Sequence, residues 1–100
     1  PLMAVGGEGV ISVVGNIVPR DMIALIDAVN ADDLPQATKL HHKLFHLCRD
    51  LLGLSTNPIP IKAAMQLLGR DTGELRLPMT PLDDAGMSKL KQTLTGYGLL

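Results

Sequence analysis

The apolar positions of the chain form one short run and four longer periodic segments. The run at residues 9–14, Gly-Val-Ile-Ser-Val-Val, is rich in β-branched residues and is apolar almost throughout. Such a run is typical of a strand that is buried on both faces. Gly6-Gly7 before it and Gly15-Asn16 after it are breakers that bound the strand. The pattern predicts no other core strand, because Leu75-Arg76-Leu77 is too short.

Four amphipathic helices are predicted after the strand. The first covers about residues 18–30, with Pro19 in its first turn, where the missing N–H would be unpaired in any case. The second helix covers residues 34–52, and the third begins at residues 57–60 and ends at Gly69. The fourth helix follows residues 80–83, Thr-Pro-Leu-Asp, which have the spacing of a capping box. Each helix carries an apolar stripe. The stripe of the first helix is Met22, Ile26 and Val29, widened by Ile23 and Leu25, and that of the second is Ala37, Leu40, Leu44, Leu47 and Leu51, with Phe45, Cys48 and Leu52 as a second row. The stripe of the third helix is Ile61, Ala64, Met65 and Leu68, and that of the fourth is Met87, Leu90, Leu94 and Tyr97.

The lone strand is the physical difficulty of this pattern. A buried strand needs a neighbouring strand to pair its N–H and C=O groups, and each orphaned group costs about 1–3 kcal/mol. A small domain has only about 5–15 kcal/mol of stability, so the strand is expected to pair outside this sequence. A buried strand followed by a helix is the unit of an α/β sheet or barrel, which favours the C-terminal piece of a larger α/β protein. The alternative is a small all-α domain in which residues 9–14 merely pack against helices. A first residue that is Pro1 and not Met agrees with an incomplete beginning.

Composition narrows the possible functions. With 100 residues, 46% hydrophobic and 19% charged, the chain is one folded domain at most and is not disordered. A net charge of -1 and only two aromatic residues (one Tyr, one Phe) exclude a nucleic-acid footprint. One cysteine excludes an internal disulfide and fits a reducing compartment. No apolar run approaches the roughly 20 residues of a membrane span, and because the first residues lack a basic start and a long apolar stretch, no signal peptide is expected. We therefore expect a cytoplasmic protein with neither nucleic-acid nor membrane partners.

The histidines of the second helix suggest a metal site only weakly. His42 and His46 lie one turn apart, but zinc needs three or four ligands, and no thiol or carboxylate joins them at a matching offset. Asp50 extends the row, yet it also suits a plain i,i+4 pair with His46. The favoured interpretation of this row, which includes His41, is a solvated helix face, and no metal site is predicted.

The other chemically active residues also have structural interpretations. Cys48 lies among leucines and is expected to pack in the core. Lys62 is expected to be a solvated lysine on one face with Gln66 and Arg70. The glycine-rich stretch at residues 6–9 precedes a strand, whereas phosphate loops follow one, so a tight turn is favoured. The acidic pairs Asp32-Asp33 and Asp83-Asp84 suit helix starts. No catalytic residue and no cofactor site is predicted.

Four strings of the sequence resemble the C-terminal third of the 4-hydroxy-tetrahydrodipicolinate synthase (dihydrodipicolinate synthase) family. They are Gly-Gly-Glu-Gly-Val-Ile-Ser-Val at residues 6–13, Asn-Pro-Ile-Pro-Ile-Lys at residues 57–62, Leu-Arg-Leu-Pro-Met-Thr-Pro at residues 75–81 and the ending Gly-Leu-Leu at residues 98–100. The two proline-containing strings together are the most specific. The order and spacing agree over essentially the whole chain.

The resemblance implies an α/β fold, the C-terminal part of a (β/α)8 TIM barrel followed by a three-helix appendage, so that the chain is mostly helical. Residues 1–31 would form the last strand and helix of the barrel, and residues 32–100 the C-terminal helical region. The absent neighbouring strands would then supply the missing hydrogen bonds. The family is commonly homotetrameric, and the loop around Val5 is expected near a subunit contact.

The resemblance also implies a chemistry. The family condenses pyruvate with aspartate semialdehyde in lysine (diaminopimelate) biosynthesis, through a lysine Schiff base and a tyrosine that relays protons. Neither residue maps onto this chain, because Lys62 and Tyr97 match other parts of the family, and Tyr97 is expected to be a packing residue. One substrate-binding position does map: Ile11, whose main-chain carbonyl would lie against the bound pyruvate. A related pyruvate aldolase, similar to N-acetylneuraminate lyase, and a non-catalytic helical interaction module remain the alternatives.

Overall fold

The helices of the computed structural model, which describes residues 1–100, lie close to the predicted segments. Helix α1 covers Pro19–Asn30, α2 Leu34–Gly53, α3 Ile59–Leu67 and α4 Asp84–Tyr97. Two short 3-10 turns, Met3–Val5 and Val14–Asn16, precede α1. The four predicted helices are therefore confirmed, with ends that differ by no more than a few residues. None of these helices combines the length and the apolar composition needed to cross a membrane.

Carboxylates cap two of the helices, as the acidic pairs predict. The Asp33 Oδ1 accepts a hydrogen bond from the Gln36 N–H at 3.0 Å, and the Asp83 Oδ1 accepts one from the Gly86 N–H at 2.7 Å. These bonds satisfy N–H groups that have no partner inside the helix. The predicted capping box at residues 80–83 is wrong, because Asp83 is itself the N-cap of α4 and Thr80 lies outside the helix.

Helix α2 lies at the centre of the molecule and contacts α1, α3 and α4. Its inner row consists of leucines that are almost completely buried, and each contributes about 1.5–3 kcal/mol by its burial. The main core around this row contains Leu44, Leu47, Leu51, Ile61, Ala64, Leu90 and Leu94. A second, smaller cluster of Ala28, Ala37 and Leu40 joins α1 to α2. The stripes predicted from helical spacing thus form the contacts between helices.

The second apolar row predicted on α2 is only partly correct. Cys48 is half-buried and packs against the main core, as predicted. Phe45 and Leu52, however, are 48% and 57% exposed. The Phe45 ring lies outside the main core, beside the rings of His41 and His46 on the same helix, with centroid distances of 6.2 and 5.5 Å.

The strand predicted at residues 9–14 is not formed in this chain. Residues 9–12 belong to no regular element, and Val14 begins a 3-10 turn instead. A strand exists only as one member of a hydrogen-bonded ladder, and no second extended segment lies beside this one. The correction agrees with the argument from the lone strand, because nothing in these 100 residues pairs with it.

The two predicted regions share one core. Val14, Ile17 and Val18, which lie before α1, are buried together with Leu47 and Leu90 of the later helices. The boundary at residues 31 and 32 therefore crosses packed side chains, and the division into 1–31 and 32–100 stays a prediction.

On its own, the chain is expected to self-associate and to bind an apolar dye such as ANS. The reason is that Ile11, Phe45 and Leu52 are exposed together with unpaired backbone. Dye fluorescence and concentration-dependent sedimentation measure these properties. Replacing Ile11 and Phe45 with lysine should lower both signals, whereas Thr95→Lys on the exposed face of α4 should leave them unchanged. A monomer that binds no ANS and unfolds in a sharp thermal transition would contradict this expectation.

Candidate substrate-binding segment

The segment that contains Ile11 is open along its whole length. Neither the N–H nor the C=O groups of residues 8–12 have a hydrogen-bond partner within the chain. Ile11 is fully exposed as a residue, at 105% of its reference value. Ile11, the substrate-binding residue expected from the sequence, thus lies where both its carbonyl and its side chain are free to meet another group.

The chain becomes firmly anchored immediately after this segment. Val14, Ile17 and Val18 are buried in the main core. The Ser12 Oγ accepts a hydrogen bond from the Gly15 N–H at 2.9 Å, and the Asn16 Nδ2 donates to the Val13 carbonyl at 2.9 Å. The open segment therefore ends in a turn that is fixed by packing and by local hydrogen bonds.

A tight turn precedes the open segment, as predicted for the glycine-rich stretch. Gly6 has a φ of 97°, in the left-handed region that favours glycine. The Gly7 N–H donates to the Leu2 carbonyl at 2.8 Å, and a Cβ on Gly7 would clash with that oxygen. No helix follows these glycines directly, so the stretch lacks the geometry of a phosphate loop.

Arg70 ties the end of α3 to the turn before α1. Its Nη1 donates to the Ile17 carbonyl at 3.3 Å, and no backbone N–H reaches that oxygen. The Arg70 backbone is itself fixed, because its N–H bonds the Met65 carbonyl while the Gly69 N–H bonds that of Gln66, both at 2.9 Å. This pair of bonds is a Schellman motif with Gly69 in the left-handed region, at a φ of 67°.

A second polar contact joins α1 to α2 and α4. The Asp21 Oδ2 accepts hydrogen bonds from the Lys43 Nζ at 2.7 Å and from the Tyr97 hydroxyl at 2.5 Å. The hydrogen bond from Lys43, helped by that from Tyr97, holds the pKa of the Asp21 carboxyl below its usual value. Burial, followed by the bond to Asp21, raises the pKa of Tyr97. Tyr97 packs against the core, as predicted, and its hydroxyl adds a tether that the sequence did not suggest.

Asp50 occupies a position different from the predicted one. The carboxylate is buried, with 7% of the residue exposed, and it accepts hydrogen bonds from the Arg49 Nε at 2.7 Å and the Thr93 Oγ1 at 2.6 Å. Lys89 lies 3.9 Å away. The predicted pair with His46 is wrong, because the Asp50 carboxylate is occupied by Arg49 of its own helix and by Thr93 of α4. The Arg49 hydrogen bond is the main reason that the pKa of Asp50 is lowered, although burial opposes it.

The remaining candidates form no reactive group. His42 and His46 are exposed on α2, and no set of three or more His, Cys, Asp or Glu side chains is placed to hold a metal ion. Burial raises the pKa of the Cys48 thiol, which disfavours a nucleophilic thiolate. Lys62 is not the solvated lysine that was predicted: it is half-buried and forms an ion pair with Asp71 at 2.8 Å. The loop after α3 folds back over its helix and brings Asp71 there.

Comparison of the sequence with known proteins identifies the family of the chain. The model of the dihydrodipicolinate synthetase family matches residues 1–96. The chain belongs to the dihydrodipicolinate synthetase family. It is 45% identical over all 100 residues to the 4-hydroxy-tetrahydrodipicolinate synthase of Methanococcus maripaludis strain C7, and 42% identical to that of Geobacter sp. strain M21. In both cases the chain spans 34% of the relative's own length.

Solved structures of this family contain the same helical body. The dihydrodipicolinate synthase from Aquifex aeolicus superposes with a TM-score of 0.94 at 40% identity, over 99% of this chain and 33% of that one. The dihydrodipicolinate synthase from Thermotoga maritima superposes with a TM-score of 0.93 at 40% identity, again over 99% of this chain and 33% of that one. The predicted resemblance to the dihydrodipicolinate synthetase family is therefore confirmed, and it covers about a third of the relatives.

Polar contacts between distant residues of this family member could not be predicted from the sequence, and two of them show why. The Asp50–Thr93 pair joins residues 43 positions apart, and the Arg70–Ile17 pair joins residues 53 apart. No periodicity relates such residues. The only available signal was Asp50 itself, a carboxylate three residues, or about one turn, after the buried Leu47.

Thr93→Val is expected to weaken the packing of α2 against α4. It removes a donor from a buried carboxylate, which costs about 1–3 kcal/mol. Hydrogen exchange of amides in α2 and α4 measures the loss as faster local opening. Thr95→Val is the control, because Thr95 is exposed on the same helix and its hydroxyl makes no hydrogen bond. Equal exchange in the two variants would contradict the assigned role of Thr93.

Acid is expected to remove part of the stability that Asp50 contributes. Because its pKa is lower in the folded chain than in the unfolded one, the contribution is complete above the ordinary pKa of about 3.9. It is lost as the pH falls through the folded pKa. Thermal midpoints followed by circular dichroism should decline below about pH 4, and less steeply in Asp50→Asn. The same decline in both proteins would contradict this assignment.

Proposed function

We propose that this chain is the C-terminal part of an enzyme that condenses pyruvate with L-aspartate 4-semialdehyde. The product would be 4-hydroxy-tetrahydrodipicolinate, on the lysine (diaminopimelate) route. The observation that carries the proposal is identity of 45% over the complete chain with a protein of that name. The alternatives drawn from the sequence, another pyruvate aldolase or an inactive helical module, have no comparable support.

In the proposed enzyme, the strand predicted at residues 9–14 is the last strand of a (β/α)8 barrel, shortened to residues 9–12 because Val13 and Val14 already belong to the turn, and α1 is the last barrel helix. The free N–H and C=O groups of residues 8–12 support this assignment, because they are available to strands on either side. The anchored turn at Val14–Asn16 supports it as well, since it directs the chain from a strand into a helix. Helices α2, α3 and α4 then form the appendage.

Ile11 would serve the proposed reaction through its main-chain carbonyl. Strands on both sides would hold this oxygen rigidly against bound pyruvate, which gives a geometric role and not an acid–base one. The free carbonyl and exposed side chain of Ile11 support the proposal. Replacement of the side chain would change the shape of the pocket more than its chemistry.

The covalent steps would belong to the rest of the enzyme. A lysine amine attacks the ketone of pyruvate, loses water and leaves an imine, which activates the neighbouring methyl group toward the aldehyde. Lys62 is unsuited to this role, because it lies on a helix of the appendage and is engaged by Asp71. We propose no cofactor, a cytoplasmic location and a homotetramer, although one solved relative is described as a monomeric variant.

Treatment with pyruvate and borohydride tests whether the lysine that forms the imine lies outside this chain, as proposed. Borohydride reduces the imine to a stable amine, which mass spectrometry locates on the polypeptide. The isolated 100-residue chain is expected to gain no adduct. The natural polypeptide that carries the chain should gain one, on a lysine other than Lys62.

Lys62→Met is the matched control for this experiment. It should leave adduct formation by the natural polypeptide unchanged, whereas an adduct on Lys62 itself would overturn the assignment. Condensation with aspartate semialdehyde, assayed beside cleavage of N-acetylneuraminate, separates the proposed function from the related aldolase. Activity toward N-acetylneuraminate alone would contradict the proposal.

A further inference from the structure

Arg70 is placed to act on the candidate substrate-binding segment from a distance. The segment itself, residues 8–12, has no hydrogen bond to the helical body. What the helical body does hold is the turn that follows it, and Arg70 provides the hydrogen bond from α3 to that turn. The position of the turn sets where the strand containing Ile11 must end.

The Ile17 carbonyl depends on Arg70 for its hydrogen bond. Ile17 is buried, with 4% of the residue exposed, and no N–H of α1 reaches its oxygen. The N–H groups of Arg20 and Asp21, three and four residues further on, would be its ordinary helical donors, and neither bonds it. A buried carbonyl without a donor is energetically unfavourable. If the guanidinium were removed, the turn would therefore be expected to move until the Ile17 carbonyl met another donor or water.

The backbone of Arg70, an exposed residue, is held in place from its own side as well. The Schellman motif at the end of α3 fixes the Arg70 backbone through two hydrogen bonds, and α3 is held by the buried residues Ile61 and Ala64. The side chain therefore extends from a rigid point in the appendage. A single contact of this kind can fix the relative position of two elements.

We infer that Arg70 is a positioning residue for substrate binding: through the Ile17 carbonyl it sets the register of the segment whose Ile11 carbonyl meets pyruvate. The inference rests on the proposed function and goes beyond it, because it assigns to the helical appendage a part in substrate affinity. Arg70 makes no contact with the substrate. It acts through the backbone from Ile17 back to Ile11.

The expected signature is a change in KM for pyruvate with little change in kcat. Ile11 would contribute to binding in the ground state and the transition state alike, and such losses raise KM alone. In the natural polypeptide, Arg70→Met should raise the pyruvate KM about three- to tenfold and change kcat less than about twofold. Arg70→Lys, which keeps a charged donor, should restore most of the affinity.

Arg76→Met is the matched control, because Arg76 is exposed and its guanidinium makes no hydrogen bond. A pyruvate KM that is equal in Arg70→Met and Arg76→Met overturns the inference. So does a loss of thermal stability in Arg70→Met with an unchanged KM, which would indicate a purely structural role. If Arg70→Met does not fold, Arg70→Gln, whose shorter side chain does not reach Ile17, replaces it with the same expected rise.

Failure of the proposed function gives a different result. If neither the wild-type polypeptide nor Arg76→Met condenses pyruvate with aspartate semialdehyde, the proposed function is wrong. If both are active and Arg70→Met keeps their pyruvate KM, only the inference about Arg70 is wrong.

Discussion

The unpaired backbone of residues 8–12 is the constraint on which the rest of this structure depends. In these five residues, Glu-Gly-Val-Ile-Ser, every backbone N–H and C=O group lacks a partner within the chain, while the chain on their C-terminal side is buried and fixed. Water can satisfy these groups only while the segment stays exposed. Burial of such an apolar run therefore requires strands on both sides, as in a parallel barrel.

The helical body supplies a rigid frame for this segment. Its leucine core around α2 is ordinary packing, but three polar contacts from α3, α2 and α4 converge on the turn before α1 and on its first residues. These are Arg70 to Ile17, and Lys43 and Tyr97 to Asp21. Such contacts fix the turn before α1, and the first residues of α1, at a defined position relative to α2, α3 and α4. These contacts are the structural basis of the role proposed for Arg70.

Most of the helical body could be predicted from the sequence, because its signals are local. Apolar spacing determined the four helices, and Asp33 and Asp83 marked two of their starts. Prediction failed where the outcome depends on distant residues. Residues 9–14 form no strand without partners, Phe45 stays half exposed outside the main core, and Asp50 turns toward Thr93 rather than His46. The role of Ile11 came only from resemblance to a family, since nothing in its local sequence distinguishes it from a core residue.

Hydrogen exchange at the amides of residues 10–12 tests the central claim most directly. The measurement compares the isolated chain with the natural polypeptide that carries it, and the α2 amides serve as an internal reference. The account predicts rapid exchange of these amides in the isolated chain and strong protection in the natural polypeptide, where neighbouring strands accept their N–H groups. Rapid exchange in both, with α2 protected in both, would show that this segment never joins a sheet and would contradict the account.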